Sequence, residues 1–284
     1  MKKSSQMSDG PQGGKSHSGM KSPEGGAPRG VIRSRDGRSP HEADSPAKNH
    51  RKGCVLCGRD LTYLEAEEEM NCALCGVSAR ANVRCSDGHY ICDGCHSLDA
   101  DDFIERVCAS TALTDPLELA LNIMRDERIK MHGPEHHFLV PAVLLACYLN
   151  AAGGDIGQAG RAAAVSRART RAEKVPGGFC GTHGSCGAAM GTGIFISIIT
   201  EATPLSEGEW KLSNRMTAEA LQRIARHGGP RCCKRNSFLA ILEAGKFLEE
   251  HLDVRLPVSG KVRCEFYDLN RECRTVRCPF YAGE

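Results

Sequence analysis

The chain has 284 residues, a formal net charge of +2, 5% aromatic residues and sixteen cysteines. So small a net charge gives no whole-chain attraction to a polyanion, and so few aromatics argue against a base-stacking surface for nucleic acid. The length provides for a small module beside a medium-sized domain with its own core.

Residues 1–50 are mostly Gly, Ser, Pro, Lys, Arg and His, a composition that predicts a disordered tail. No apolar stretch follows Met1-Lys2-Lys3, so no secretory signal is expected, and no apolar run is long enough for a membrane span. A cytoplasmic, reducing location follows. There, Cys-x2-Cys pairs act as metal ligands or redox dithiols rather than disulfides. Cys108 and Cys147 lie inside apolar periodic segments and read as core residues.

Residues 51–98 read as a zinc-binding Cys-rich module. Cys54-Val-Leu-Cys57-Gly58 and Cys72-Ala-Leu-Cys75-Gly76 are near copies separated by fourteen residues. Each Cys-x2-Cys turn sets two sulfurs on one side of a tight loop, and two turns supply the four thiolates of a zinc ribbon. Cys85, His89, Cys92 and Cys95 offer four more ligands for a second ion. A cross-braced arrangement, with alternating pairs sharing two ions, is the other pairing, and the spacing does not choose between them. The simplest role for the metal is to fold a segment with little core of its own. The linker Leu61–Met70 carries Glu65, Glu67, Glu68 and Glu69, which disfavours a DNA-binding face.

Residues 101–284 read as an α-helical domain that ends in a short Cys-rich tail. Asp101-Asp102 caps a helix through Cys108, and Asp115-Pro116 opens another, from Leu117 to Arg128. The apolar run Phe138–Leu149 reads as a buried helix with Pro141 in its first turn, stopped by Gly153-Gly154. Gln158–Lys174, rich in Ala and Arg, predicts an exposed helix. Gly177-Gly178 begins a loop, and Ala188–Ala202 is an apolar helix or strand. Thr217 and Asn236-Ser237 cap two more helices. Strand signals are confined to the knuckles and the segment after Val254.

Three polar clusters punctuate this domain. His132-Gly-Pro-Glu135-His136-His137 offers metal ligands or a base. In the central block, glycines flank Cys180, His183 and Cys186, and Cys232–Cys233 precede Lys234-Arg235. Helix N-termini and adjacent positive charge favour thiolates there, so these five residues form the candidate redox or metal site. Gly187–Gly193 contains Gly-x3-Gly-x-Gly, which without a preceding strand is a weak dinucleotide or S-adenosylmethionine signal. Last, Cys264, Cys273 and Cys278-Pro279 supply three ligands for zinc or an iron–sulfur cluster, with a fourth from Cys232 or Cys233.

His132-Gly-Pro-Glu-His-His137, Cys180-Gly-Thr-His-Gly-Ser-Cys-Gly-Ala-Ala189, Gly229-Pro-Arg-Cys-Cys-Lys-Arg235 and the final Cys-Pro-Phe together resemble an uncharacterised bacterial and archaeal domain family. That resemblance supplies no activity. Cys186-Gly-Ala-Ala-Met-Gly191 is similar in part to a redox-active family with a Cys-Gly-Cys-Ala-x-x-Gly run, and this implies thiol redox chemistry.

The sequence therefore predicts a mainly α, cytoplasmic metal-binding protein with one or two zinc ions and a second Cys/His site that is redox-active or holds a metal or cluster. Another reading is an adaptor that binds a protein partner, such as a methyltransferase or radical enzyme. A third, nucleic-acid binding through Arg161, Arg167, Arg169 and Arg171, ranks last.

Overall fold

The computed structural model describes residues 54, 56, 59–92, 95, 98–151, 157–258 and 262–283. These all lie within one unit, Pro46–Glu284. The tail expected to be disordered and Cys57 fall outside the described residues.

The architecture is mainly helical, with a two-stranded sheet near the start. β1 (Leu61–Asn71) and β2 (Ser78–Cys85) form an antiparallel hairpin. The acidic segment expected as a linker is thus a strand. Three of its glutamates have cross-strand partners, Glu68 in Arg84, Glu67 in Arg80 and Glu69 in the Ser78 hydroxyl. The register slips between Tyr63 and Glu68, where β1 carries more residues than β2 can pair.

The helices are α1 (Ala100–Ser110), α2 (Pro116–Met124), α3 (Glu135–Ala151), α4 (Gly157–Ala172), the short α5 (Phe179–Thr182), α6 (Gly187–Ile199), α7 (Gly208–His227) and α8 (Cys233–Leu252). Asp115 caps α2 as expected, its Oδ1 accepting from the Leu117 N–H at 2.8 Å. α1 is capped by Asp99 rather than by the two aspartates after it. The central block, read as helix or strand, is helix. α7 and α8 both start earlier than their expected caps, α8 at Cys233 instead of after Asn236. Among its described residues, the segment after Val254 holds two 3-10 turns and one bridge, Cys264 to Tyr281.

α3 is the central element, packed against α1, α2, α4, α6 and α8. Every residue from Phe138 to Cys147 is buried, as befits a helix apolar on all sides. Pro141 sits inside this helix, not in its first turn. A proline there cannot donate to the carbonyl four residues back, which is that of His137.

α6 lies against this break. A Cβ added to Gly191 would come within 2.7 Å of Pro141 Cδ and 3.0 Å of the His137 carbonyl oxygen. One added to Gly187 would strike the His137 ring, and one at Gly193 would meet Thr217 Oγ1 on α7. The Gly-x3-Gly-x-Gly run is therefore a packing device that lets three helices approach closely, and not a phosphate loop.

A single core cluster includes Met70, Cys72, Leu74, Tyr90 and Cys95 together with the helical residues. Arg128 ties the two regions: its guanidinium donates to the Cys95 carbonyl at 3.1 Å and lies 3.9 Å from the centre of the Phe103 ring. Among the described residues no helix is long and apolar enough to cross a membrane.

The close approach gives a direct test. Gly191→Ala forces a methyl against a backbone carbonyl and a proline ring, and should destabilise the protein by about 1–3 kcal/mol. Thermal or denaturant unfolding of the variant measures the loss.

Candidate metal centres and thiol sites

The hairpin and the loop after it bring the first ligand sets together. Cys72, Cys75, Cys92 and Cys95 have their sulfurs within 4.8 Å of one another, and Cys54, Cys85 and His89 form a second such group. The sulfurs of Cys75 and Cys92 are 3.6 Å apart. His89 Nδ1 lies 3.4 Å from Cys85 Sγ and 3.8 Å from Cys54 Sγ. A tetrahedral ion with bonds of ~2.3 Å holds its thiolates about 3.8 Å apart, so both groups can hold a metal such as zinc. Cys72 and Cys75 thus join Cys92 and Cys95, and Cys54 joins Cys85 and His89. Among the described residues the ligand atoms group in the alternating order, and Cys54 does not group with Cys72 and Cys75 as the four-thiolate ribbon would require.

Backbone donors prepare the sulfurs. The Cys92 N–H donates to Cys72 Sγ at 3.4 Å, and the His89 N–H to Cys85 Sγ at 3.3 Å. Burial opposes ionisation of Cys72, but N–H donors from Cys92, Cys75 and Leu74 bring its thiol down to about 6. Burial and the neighbouring sulfurs push Cys95 up to about 12, although Arg106 Nη1 lies 3.6 Å from its sulfur. One thiol of the four takes the negative charge at the others' expense. A bound dication would allow all four to ionise.

The polar motif before α3 spreads its side chains to separate partners. His132 Nε2 is 3.2 Å from Glu272. Glu135 Oε1 accepts from the Lys130 N–H at 2.9 Å. His136 Nε2 donates to the Lys130 carbonyl at 3.0 Å, with the Ser237 hydroxyl 3.3 Å from Nδ1. His137 Nδ1 donates to the Val175 carbonyl at 3.0 Å. These residues form none of the metal-competent groups found among the described residues. They close the loop and seat α3 instead. Burial, reinforced by Lys234, lowers His136 to about 3, so the ring stays neutral.

The five residues of the candidate redox site do not converge on one point. Cys180 is exposed on α5, and the exposed His183 stacks on Phe179 with ring centres 4.2 Å apart. Cys186 is the residue before α6, half-buried, with Asn236 Nδ2 donating to its sulfur at 3.5 Å. Cys232 and Cys233 part company. Successive residues at a helix start are turned about 100° from each other. Cys233 senses Cys186 and takes a backbone donor from Gly133, whereas Cys232 senses Cys273 and Cys278.

The positive charge expected beside these thiols acts on them only weakly, Arg235 on Cys232 and Arg231 on Cys233, and its hydrogen bonds go to carbonyls. Lys234 is buried and donates to the carbonyls of Met124 at 3.0 Å and Ile129 at 3.1 Å, under the Phe266 ring. Arg235 donates to the Gly228 and Pro230 carbonyls, each at 3.0 Å. Burial therefore outweighs the helix N-terminus. Both thiols are raised, Cys233 to about 11, where exposed thiols in these positions would be lowered.

Lys234 and Arg235 were expected as charge beside the thiols and Asn236 as a helix cap; their roles as carbonyl donors and as the donor to Cys186 are what sequence reasoning missed. Their signal was present in helical spacing, since Asn236 follows Cys233 by three positions and shares its face. Of the arginines considered for nucleic acid, Arg169 pairs with Asp102, Glu105 and Glu173, Arg171 donates to Ser197, and Arg161 donates to the Thr111 carbonyl.

The third expected ligand set, Cys264, Cys273 and Cys278, lines one cavity with Cys232. Met131, Phe238, Phe266 and Phe280 form its apolar wall.

His136 gives the protein an acid-sensitive point. It is neutral in the fold, but the unfolded chain takes up a proton near pH 6.5. The unfolded state then binds more protons, so stability is full above about 6.5 and falls as pH drops toward 3, by up to about 1.4 kcal/mol per unit. His136→Gln should lower stability at neutral pH and flatten this dependence, as urea unfolding between pH 5 and pH 7.5 would measure.

No curated protein and no solved structure matches the chain. The model of a family of unknown function (DUF5714) matches residues 104–281, from within α1 to the last bridge. The match spans more than half of the chain and takes in the cysteines at 186, 232, 233, 264, 273 and 278, while the hairpin and its thiols precede it. The chain belongs to this family of unknown function.

Proposed function

We propose that the protein is a cytoplasmic metalloprotein whose N-terminal module is folded by two zinc ions and whose helical domain carries a separate thiol-based site. The observation that carries the reading is the interleaving of the two ligand groups. Cys72, Cys75, Cys92 and Cys95 take one ion. Cys54, Cys85 and His89 take the other, with Cys57 as fourth ligand on the strength of its Cys-x2-Cys spacing. Such ligands need reduced thiols, which is the basis for the cytoplasmic assignment. Zinc fixes the hairpin, and Arg106 and Arg128 transmit that order to α1 and the loop before α3.

In the helical domain, Cys186 and Cys233 are the thiols best placed for redox or metal chemistry. They flank the starts of α6 and α8, with Asn236 on one sulfur and the Gly133 N–H on the other. A second reading, as an adaptor for a protein partner, draws on the hairpin surface, where Tyr63 is 74% and Val77 50% exposed.

Metal analysis of the intact chain tests the first reading. Two zinc ions per chain are expected, with one lost in Cys72→Ser and the other retained. If Cys54→Ser and Cys72→Ser abolished the same single ion, the alternating arrangement would be wrong. Chelation of both ions should unfold the hairpin, seen as loss of amide-exchange protection over residues 61–85.

A further inference from the structure

The cavity between the start of α8 and the C-terminal segment has the features of a metal centre distinct from those above. We propose that Cys232, Cys264, Cys273 and Cys278 are the four thiolate ligands of an iron–sulfur cluster. The inference rests on the metalloprotein reading and adds a centre of different chemistry to it.

Four cysteines from three separate stretches of chain line this one cavity. Three of the four sulfurs receive backbone donors. The Arg235 N–H reaches Cys232 Sγ, the Phe266 N–H reaches Cys264 Sγ and the Thr275 N–H reaches Cys273 Sγ, each at 3.4 Å. The same kind of donor serves Cys72 and Cys85 in the N-terminal module. Amides aimed at sulfur stabilise thiolate and tune a bound cluster.

Spacing separates the cluster from zinc. Among the described residues, three or more ligand atoms come within 4.8 Å of one another at two places, both in the N-terminal module. The cavity cysteines are not among them. No three of their sulfurs lie within 4.8 Å of one another, whereas a single tetrahedral ion holds its thiolates about 3.8 Å apart. An iron–sulfur cluster places several iron and sulfide atoms between its cysteines and so suits a wider set.

The surroundings fit as well. A cluster held by four thiolates carries net negative charge, and Arg235 and Arg274 both line the cavity. Phe238, Phe266 and Phe280 shield it on the inner side; these rings are buried. Glu272, also in the lining, is held aside by His132. Cys186 and Cys233 lie on the other side of the α8 start and are not ligands in this assignment.

The test is purification of the full chain without oxygen, followed by iron, acid-labile sulfide and zinc analysis and a visible spectrum. The intact chain should be coloured and contain iron and sulfide. Cys264→Ser and Cys278→Ser should each lose that colour, iron and sulfide while keeping the N-terminal zinc, and Cys72→Ser should do the reverse. Should either serine variant fail to fold, alkylation of the intact chain decides. The four cysteines should be protected while iron is bound and labelled once the cluster is removed by oxidation and chelation. A colourless intact chain without iron, iron retained in both serine variants, or zinc lost in place of iron would each overturn the cluster. Failure of the zinc reading is distinguishable, because it appears in the zinc content of the intact chain and of Cys72→Ser and leaves colour, iron and sulfide unchanged.

Discussion

The fold depends on two helices meeting with almost nothing between them. Pro141 breaks the bonding of α3, the His137 carbonyl is left without its helical donor, and Gly191 of α6 comes to rest on that spot. Gly187, one turn earlier, accepts the His137 ring. This approach determines where α6 starts, and therefore where Cys186 stands. It also fixes the direction in which the motif before α3 emerges. That motif's backbone supplies Gly133 to Cys233, and its side chains hold Glu272 and the Ser237 face of α8. A tight packing contact in the middle of the molecule thus sets the geometry of two thiol regions at its end.

The thiols themselves show two regimes. In the N-terminal module, amide donors and neighbouring sulfurs drive Cys72 and Cys95 in opposite directions, a conflict that a shared cation resolves. At the start of α8, burial dominates and raises both thiols despite the helix N-terminus. The difference lies in how completely water is displaced. Partial charges on backbone amides compensate a thiolate only if enough of them converge on it. The Arg235 charge and N–H favour the Cys232 thiolate, but burial outweighs them, and Lys234 directs its charge to carbonyls at and beyond the end of α2.

Much of this was legible in the residues. The helical character, the cap at Asp115, the burial of Cys108 and Cys147 and the metal-competent thiols of the module follow from periodicity and spacing. The pairing of the knuckles was not, because it depends on how the loop after β2 folds back to the hairpin turn, a nonlocal property. The acidic strand β1 was hidden by its composition, since its stability comes from arginines on another strand. The glycines of α6 gave only a weak cofactor-loop signal in sequence, and the neighbouring helices reveal their use. The adjacent cysteines looked like one site because sequence adjacency does not convey rotation about a helix.

That last feature constrains the chain in a different way. Cys232 faces one cavity and Cys233 the other side, and one peptide bond joins them, so the two regions share a single rigid joint. Replacing a side chain here disturbs one region. Inserting or deleting a single residue between Gly229 and Asn236 would turn the whole helix start by about 100° and disconnect both at once. The number of residues in this segment is therefore held more strictly than the identity of any one of them.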